Sequence, residues 1–356
     1  MQDIASVLRK LRRSISRDNS GSSRHPNGVM MKSSLSAATF LLLNLPVLHA
    51  SAATSPSSSC DRGCLEAFTN RYLAALVAHD SSQLPLAPGV KYTENADLAK
   101  VGSGLWLTAT EIGTYRIFAS DVANSQVAFM GNIRTPRGWS MLALRLRIQN
   151  RQITEIETIV PEGASNAGSY DLSQGAGKLR TARSAFSTAL LPSERRDRSQ
   201  LIWSADLHYE GIERGNGDIV PFGDACIKVE NGVQLIHNAD YHSPGVSPTG
   251  QPSPNFQAMG CRDQFNTHIW DTDRVTDRRY PVVDEERGIA IGFIMYNQYL
   301  KASCADVVDV GLICPPTRVQ PYTLVAAEAF KVRAGKIEEV ESIFTALPTL
   351  RLRGLW

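Results

Sequence analysis

The stretch Val220-Pro-Phe-Gly-Asp-Ala-Cys-Ile-Lys-Val-Glu-Asn-Gly232 has a partner in the same chain, Leu84-Pro-Leu-Ala-Pro-Gly-Val-Lys-Tyr-Thr-Glu-Asn95. In each, a proline between two bulky apolar residues is followed nine positions later by Glu-Asn. The offset of 136 persists upstream, where Leu65 aligns with Leu201, Tyr72 with His208 and Leu76 with Ile212. Downstream, Ile153-Thr-Glu-Ile-Glu-Thr-Ile-Val160 matches Ile337-Glu-Glu-Val-Glu-Ser-Ile-Phe344 at an offset of 184, so the second copy carries about 48 additional residues. The chain reads as two copies of one unit.

Working outward from these echoes, the expected organisation is a targeting region and spacer over 1–59, a first domain over 60–162, a linker over 163–198, a second domain with inserted loops over 199–348, and a tail over 349–356. A length of 356 residues suits two domains. The hydrophobic share of 43% and mean hydropathy of −0.17 are those of an ordinary globular chain. Residues 1–32 hold seven Lys or Arg against two Asp, within a formal net charge of +2, so the body is close to neutral. Nothing in that balance attracts nucleic acid, and none is expected as a partner.

After Met30-Met31-Lys32 the chain runs uncharged through Ala37 to Ala50 and then Ser51-Ala52, a pattern suited to signal cleavage. Met30 or Met31 is the expected start, and the mature chain is expected to be secreted or lumenal. A membrane is a partner only if this segment stays as an anchor. Six cysteines fit oxidised pairs in such a compartment. Cys60 and Cys64, Cys226 and Cys261, and Cys304 and Cys314 are the local pairings expected among fifteen connectivities.

Leu65, Phe68, Tyr72 and Leu76 fall on one helical face, ending near His79-Asp80. Strands are expected over 90–94, 115–119, 126–133, 139–148 and 153–160, and Thr108-Ala-Thr-Glu111 is expected to cap a short helix. The second copy repeats this, with a helix over 201–213, a proline-rich loop over 241–259, and strands over 279–283, 289–296, 323–332 and 337–344. A helix followed by an antiparallel meander predicts an α+β class: two tandem cone-shaped domains, each a helix on a curved antiparallel sheet. The pair is expected to associate within the chain or as a homodimer.

This pattern resembles the SnoaL-like or ketosteroid-isomerase-like (nuclear transport factor 2-like) superfamily. The leading helix, the proline loop into a strand ending Glu-Asn, and the last strand of type Lys-Ile-x-Glu-x-Glu carry the resemblance. The tandem arrangement is also similar to secreted fungal proteins with a domain of unknown function, sharing Cys60/Cys64, Leu84-Pro-Leu, Thr93-Glu-Asn95 and Tyr280-Pro-Val-Val-Asp-Glu-Glu-Arg-Gly288. The resemblance implies a pocket between helix and sheet for a small apolar metabolite. It also implies cofactor-independent cyclisation, isomerisation or dimerising closure, of the kind used in polyketide-like secondary metabolism. The alternative is a non-catalytic secreted protein that binds a ligand or partner.

The resemblance places an oxyanion donor at Tyr72 and a general base at the strand end. There this sequence has Asn95 and Asn231, and an amide is no base. Glu94 and Glu230 stand one step earlier, which in a strand turns them to the opposite face. His208 is the expected acid or base, with Glu230 as its polar partner and Tyr209 or Tyr72 as oxyanion donors. Asp284, in the hairpin turn Asp284-Glu-Glu-Arg-Gly288, is expected to point into the pocket mouth. His237, His242 and His268 with Asp240, Asp263 and Asp271 match no compact ligand spacing, so no metal is expected. Gly-x-Ser-x-Gly is absent from the sequence, Gly102-Ser-Gly104 is no phosphate loop, and no cofactor is expected.

Overall fold

A computed structural model describes residues 60–161, 175–241, 255–268, 274–298, 305–308, 311–313, 321–347 and 349–355. The targeting segment, the Cys304/Cys314 pair, His242, Asp271 and most of the 241–259 loop lie outside the described residues.

Helix α1 (Arg62–Ala78) starts where the Asp61 carboxylate accepts the Cys64 amide at 2.8 Å, and stops where His79 turns left-handed at φ 55°. A Cys60–Cys64 disulfide spans this start, with 5.3 Å between Cα atoms. Six strands follow: β1 (Leu86–Glu94), β2 (Asp97–Leu98), β3 (Glu111–Asp121), β4 (Gln126–Thr135), β5 (Gly138–Gln149) and β6 (Gln152–Ile159). Between β2 and β3 lies a 3-10 turn, Gly104–Leu107, so Thr108 closes that turn and Glu111 opens a strand rather than a helix.

The segment expected as a plain linker holds two short helices, α2 (Gly175–Lys178) and α3 (Ser184–Ser187). Helix α4 (Arg198–Arg214) then begins with a reciprocal capping box between Asp197 and Gln200 and ends at Gly215, again left-handed. The second copy continues with β7 (Phe222–Glu230), β8 (Val233–Gln234), helix α5 (Cys261–Asn266), β9 (Arg274–Asp284) and β10 (Ile289–Gln298). Its insertion adds the small hairpin β11 (Ala305–Val307) and β12 (Gly311–Ile313), before β13 (Tyr322–Arg333) and β14 (Lys336–Leu347). A Cys226–Cys261 disulfide ties α5 to β7.

The two large sheets have the same order, β2-β1-β6-β5-β4-β3 and β8-β7-β14-β13-β10-β9. The sheets are mixed rather than wholly antiparallel, because β1 runs parallel to β6 and β7 parallel to β14. Each leading helix packs on one face of its sheet, and the apolar residues of helix and sheet form a separate core in each half. The other faces of the two sheets pack on each other: Ile117, Met130 and Ala143 of the first half join Ile291, Phe293 and Ala327 of the second in one buried cluster.

That packing has an approximate two-fold symmetry, visible in its ion pairs. Arg62 at the start of α1 grips Asp284 at the end of β9 through two guanidinium nitrogens, at 2.6 and 2.8 Å. Arg198 at the start of α4 grips Asp121 at the end of β3 through one guanidinium nitrogen, and its other terminal nitrogen donates to the Tyr280 carbonyl at 3.3 Å. The amide of Ser120 donates to Asp284 and that of Val283 to Asp121, each at 3.0 Å. Equivalent residues thus exchange equivalent bonds, as in an isologous dimer interface built within one chain. Within Arg195-Arg196-Asp-Arg198, Asp197 caps α4 and Arg198 spans the halves. The C-terminal segment is docked rather than trailing: Arg351 pairs with Asp97, and the Gly354 amide donates to Asp277 at 2.8 Å.

Candidate functional site in the second cone

In a strand, residues two apart share a face. On β7 this sets Cys226, Lys228 and Glu230 together, and Cys226 belongs to the core shared with α4. Glu230 therefore turns toward the helix, and so does Glu94, which accepts the Tyr92 hydroxyl at 2.5 Å beside that half's core. This corrects the expected face. The Asn of each Glu-Asn pair leaves the strand in a left-handed turn, at φ 49° for Asn95 and 44° for Asn231. Asn95 Oδ1 accepts the Val160 amide at 2.9 Å, and Asn231 brackets Phe344 by accepting its amide and donating to its carbonyl, each at 3.0 Å. The asparagines are turn and clamp residues, and the inward glutamates carry the polar chemistry.

The two cones differ in how well their polar groups are satisfied. In the first, the Trp106 indole donates to the Tyr72 hydroxyl at 3.2 Å, and Thr158 Oγ1 donates to the Tyr92 hydroxyl at 3.3 Å. Glu94 accepts the Leu105 amide at 3.1 Å as well as Tyr92, and a side chain at Gly104 would collide with it. Burial raises the Tyr72 and Tyr92 hydroxyl pKa values, so both stay neutral donors. This is a closed network that locks the 3-10 turn onto the sheet.

In the second cone His208 replaces Tyr72 and is fully buried. The rings of Phe265 and Phe330 lie 5.0 Å from its centroid and that of Phe222 at 5.9 Å, all edge-on. Neither ring nitrogen has a hydrogen-bond partner, nor has the buried Tyr209 hydroxyl beside it. Tyr209 fits over the sheet because residue 292 is glycine; a Cβ there would stand 2.4 Å from the hydroxyl. Facing them from β13 is Glu328, only 1% exposed, with one oxygen 4.0 Å from His208 Nε2 and accepting the Tyr296 hydroxyl at 2.9 Å. The Lys228 ammonium lies 2.8 Å from Glu230.

These neighbours push the two central groups in opposite directions. Burial, then the Lys228 charge, lowers the His208 pKa well below its ordinary value, so the imidazole is neutral. Burial raises the Glu328 pKa, and the Lys228 charge opposes that shift. For Lys228 burial pulls downward, but Glu230 and Glu328 outweigh it and the net direction is up. Burial and the nearby Glu328 raise Tyr209, which remains a hydroxyl donor. A neutral imidazole facing a carboxyl of raised pKa is a pairing able to move a proton through an atom held between them.

Of the residues singled out in the sequence, His208, Tyr209 and Glu230 thus come together with Lys228, Glu328 and Tyr296. Tyr72 and Glu94 form the separate network of the first cone. Asp284 does not reach a pocket mouth; it is buried in the clamp with Arg62, Ser120 and Arg287, because a carboxylate at that depth takes every donor offered. Sequence reasoning passed over Glu328, although one carboxylate within the apolar run Leu324-Val-Ala-Ala-Glu-Ala-Phe330 was the available signal. Of the histidines and aspartates whose spacing was weighed for a metal, His237, His268, Asp240 and Asp263 are described, and no metal-binding group of three occurs among the described residues.

The fold and this site define a class: a paired α+β cone protein whose second cone encloses unpartnered acid–base groups. A family model described as a domain of unknown function (DUF8021) matches residues 194–344, the second copy. No curated protein matches the chain. Among solved structures, AusH from Aspergillus nidulans is 12% identical with a TM-score of 0.25, over 45% of this chain and 93% of that one. The BvnE pinacolase from Penicillium brevicompactum is 14% identical with a TM-score of 0.23, over 44% and 88%. An LEH-like epoxide hydrolase from M. tuberculosis is 12% identical with a TM-score of 0.22, over 41% and 83%. Similarity at this level says nothing of substrate or reaction. No helix among the described residues is long and apolar enough to cross a membrane.

Proposed function

We propose that the second cone carries out cofactor-independent acid–base chemistry on a small, largely apolar molecule. The observation that supports this is His208: a fully buried, neutral imidazole with no partner on either nitrogen, 4.0 Å from Glu328. A packing histidine would have been satisfied during folding, since a buried unpaired group costs about 1–3 kcal/mol. In this reading His208 takes a proton from carbon or oxygen, Glu328 returns one, and Tyr209 and Tyr296 stabilise the oxyanion formed between. Lys228 lowers the Glu328 pKa and Glu230 raises it, against the larger upward effect of burial. Isomerisation or ring closure of a polyketide-like ketone suits such a site, and export to an oxidising compartment suits the two disulfides.

The test is hydrogen–deuterium exchange of enolisable cyclic ketones in D2O, followed by NMR. The full chain is expected to accelerate exchange for some member of the panel, and Glu328→Gln to remove at least a hundredfold of it. Saturable binding without exchange would favour a binding protein instead.

A further inference from the structure

The two disulfides of the described residues sit in different surroundings. Cys226 is 1% exposed and Cys261 4%, and their bridge joins β7 to α5 across 35 positions inside the second core. The Cys60–Cys64 bridge closes only four positions at the start of α1, and its Cys64 end is half-buried. A loop that short removes less freedom from the unfolded chain, so this bridge stabilises the fold less than the other. The helix start is also held without it: the Asp61 carboxylate accepts the Cys64 amide at 2.8 Å, and the Asp61 carbonyl accepts the Leu65 amide at 2.9 Å.

A cation is set on the Cys64 sulfur. From the turn between β5 and β6, Arg151 Nη1 donates to Cys64 Sγ at 3.4 Å. That two-residue turn holds Asn150 at φ 49° and Arg151 at φ 60°, and at its second position glycine is favoured and an arginine β-carbon is strained. The turn itself therefore gives no reason for arginine. A disulfide sulfur is a weak acceptor that draws little from a guanidinium, whereas a thiolate in the same place gains a charge-assisted bond. The first turn of α1 also favours negative charge at Cys64. The Asp61 carboxylate opposes it, and Arg62 is committed to Asp284 and Glu286, so Arg151 is the cation that serves this sulfur.

We propose that Cys60–Cys64 is a thiol–disulfide exchange site for a dithiol partner, with Cys64 as the reactive sulfur and Arg151 as the group that stabilises its thiolate. A thiolate of the dithiol attacks Cys64 Sγ, the bond to Cys60 breaks, and Cys60 leaves as a thiolate that takes up a proton. The partner's second thiol gives up its proton to solvent and attacks the partner's own sulfur in the mixed disulfide. The partner is thereby oxidised to a disulfide, and Cys64 is released as the thiolate beside Arg151. This site lies on the first half and is independent of the reading given to the cone of His208.

The test is reduction of the folded full chain with graded dithiothreitol, followed by alkylation and peptide mass spectrometry. Cys60–Cys64 is expected to open at a lower dithiothreitol concentration than Cys226–Cys261, with the circular dichroism of the fold retained. In the reduced chain, iodoacetamide alkylation of Cys64 against pH is expected to show a midpoint below about 8.5. Arg151→Gly relieves the left-handed turn and is expected to melt no lower than the parent. It should nevertheless raise that midpoint and slow Cys64 alkylation at pH 7 by roughly threefold, while Arg151→Lys keeps most of the parent rate. The proposal is overturned if the two disulfides open together, if the fold is lost when Cys60–Cys64 opens, or if Arg151→Gly leaves the midpoint where it was.

Discussion

At His208 the protein accepts an energetic loss that packing alone does not explain. The ring is caged by Phe222, Phe265 and Phe330, an environment that suits phenylalanine better than imidazole. His208→Phe is expected to raise the unfolding free energy by about 1–2 kcal/mol, since it removes two unsatisfied polar atoms, while abolishing activity. Urea denaturation measures this, and a marked loss of stability would mean that the imidazole is structural. Glu341 offers a second residue-scale test. It is buried between the sheets, with one oxygen bonded to the Tyr115 hydroxyl at 2.8 Å and the other unpartnered. Burial pushes its carboxyl up to about 8. The folded state therefore holds a proton that the unfolded chain releases near the ordinary carboxylate value, and stability from this group is lost as pH rises from about 4.5 to about 8. Glu341→Gln should flatten that part of the stability curve and stabilise the protein at pH 8, as thermal melts across pH would show. His208 was legible because the repeat sets it opposite Tyr72. Glu341 and Glu328 were not, because a strand pattern does not say which carboxylates lie under a second layer.

At the scale of elements, the Glu-Asn motif proves to be two devices. The glutamate faces the cone, and the asparagine takes the left-handed turn that lets β1 and β7 stop beside β6 and β14. Asn231→Ala loses both bonds to Phe344 and puts a β-carbon where asparagine is better tolerated. A cost of about 2–3 kcal/mol in urea unfolding is expected. The two leading helices, α1 and α4, were readable to within a few residues because apolar periodicity and their capping residues agree, as at Asp197 and Gln200. The parallel β1/β6 and β7/β14 pairs were not, since strand polarity leaves no mark on a strand's own alternation. Glu94 and Glu230 were placed on the wrong face because the asparagine's turn breaks the simple alternation on which that inference rested.

At the scale of the whole molecule, the halves are joined back to back through both sheets. A clue existed in Ile289-Ala-Ile-Gly-Phe-Ile-Met-Tyr296, an unbroken apolar run of the kind that goes with burial on two faces. The reciprocal Arg62–Asp284 and Arg198–Asp121 clamps had no such signature, since each joins residues more than seventy positions apart. Asp284 is 1% exposed, so Arg62→Met strands a buried carboxylate. The expected loss is about 3–5 kcal/mol. Combining it with Asp284→Asn should return part of that loss, and an additive double variant would mean that the two do not interact.

The duplication also sets the sharpest comparison, because Tyr72 and His208 hold equivalent positions in two cones of one chain. The first is saturated by Trp106 and its neighbours, and the second leaves both ring nitrogens of His208 without a hydrogen-bond partner. The most direct measurement is therefore the rate of deuterium incorporation into an active ketone by His208→Ala and Tyr72→Phe side by side. A drop of at least a hundredfold for His208→Ala, with Tyr72→Phe near the parent rate, is the predicted result. Equal rates for the two variants, or loss in Tyr72→Phe alone, would contradict the assignment of the site to the second cone.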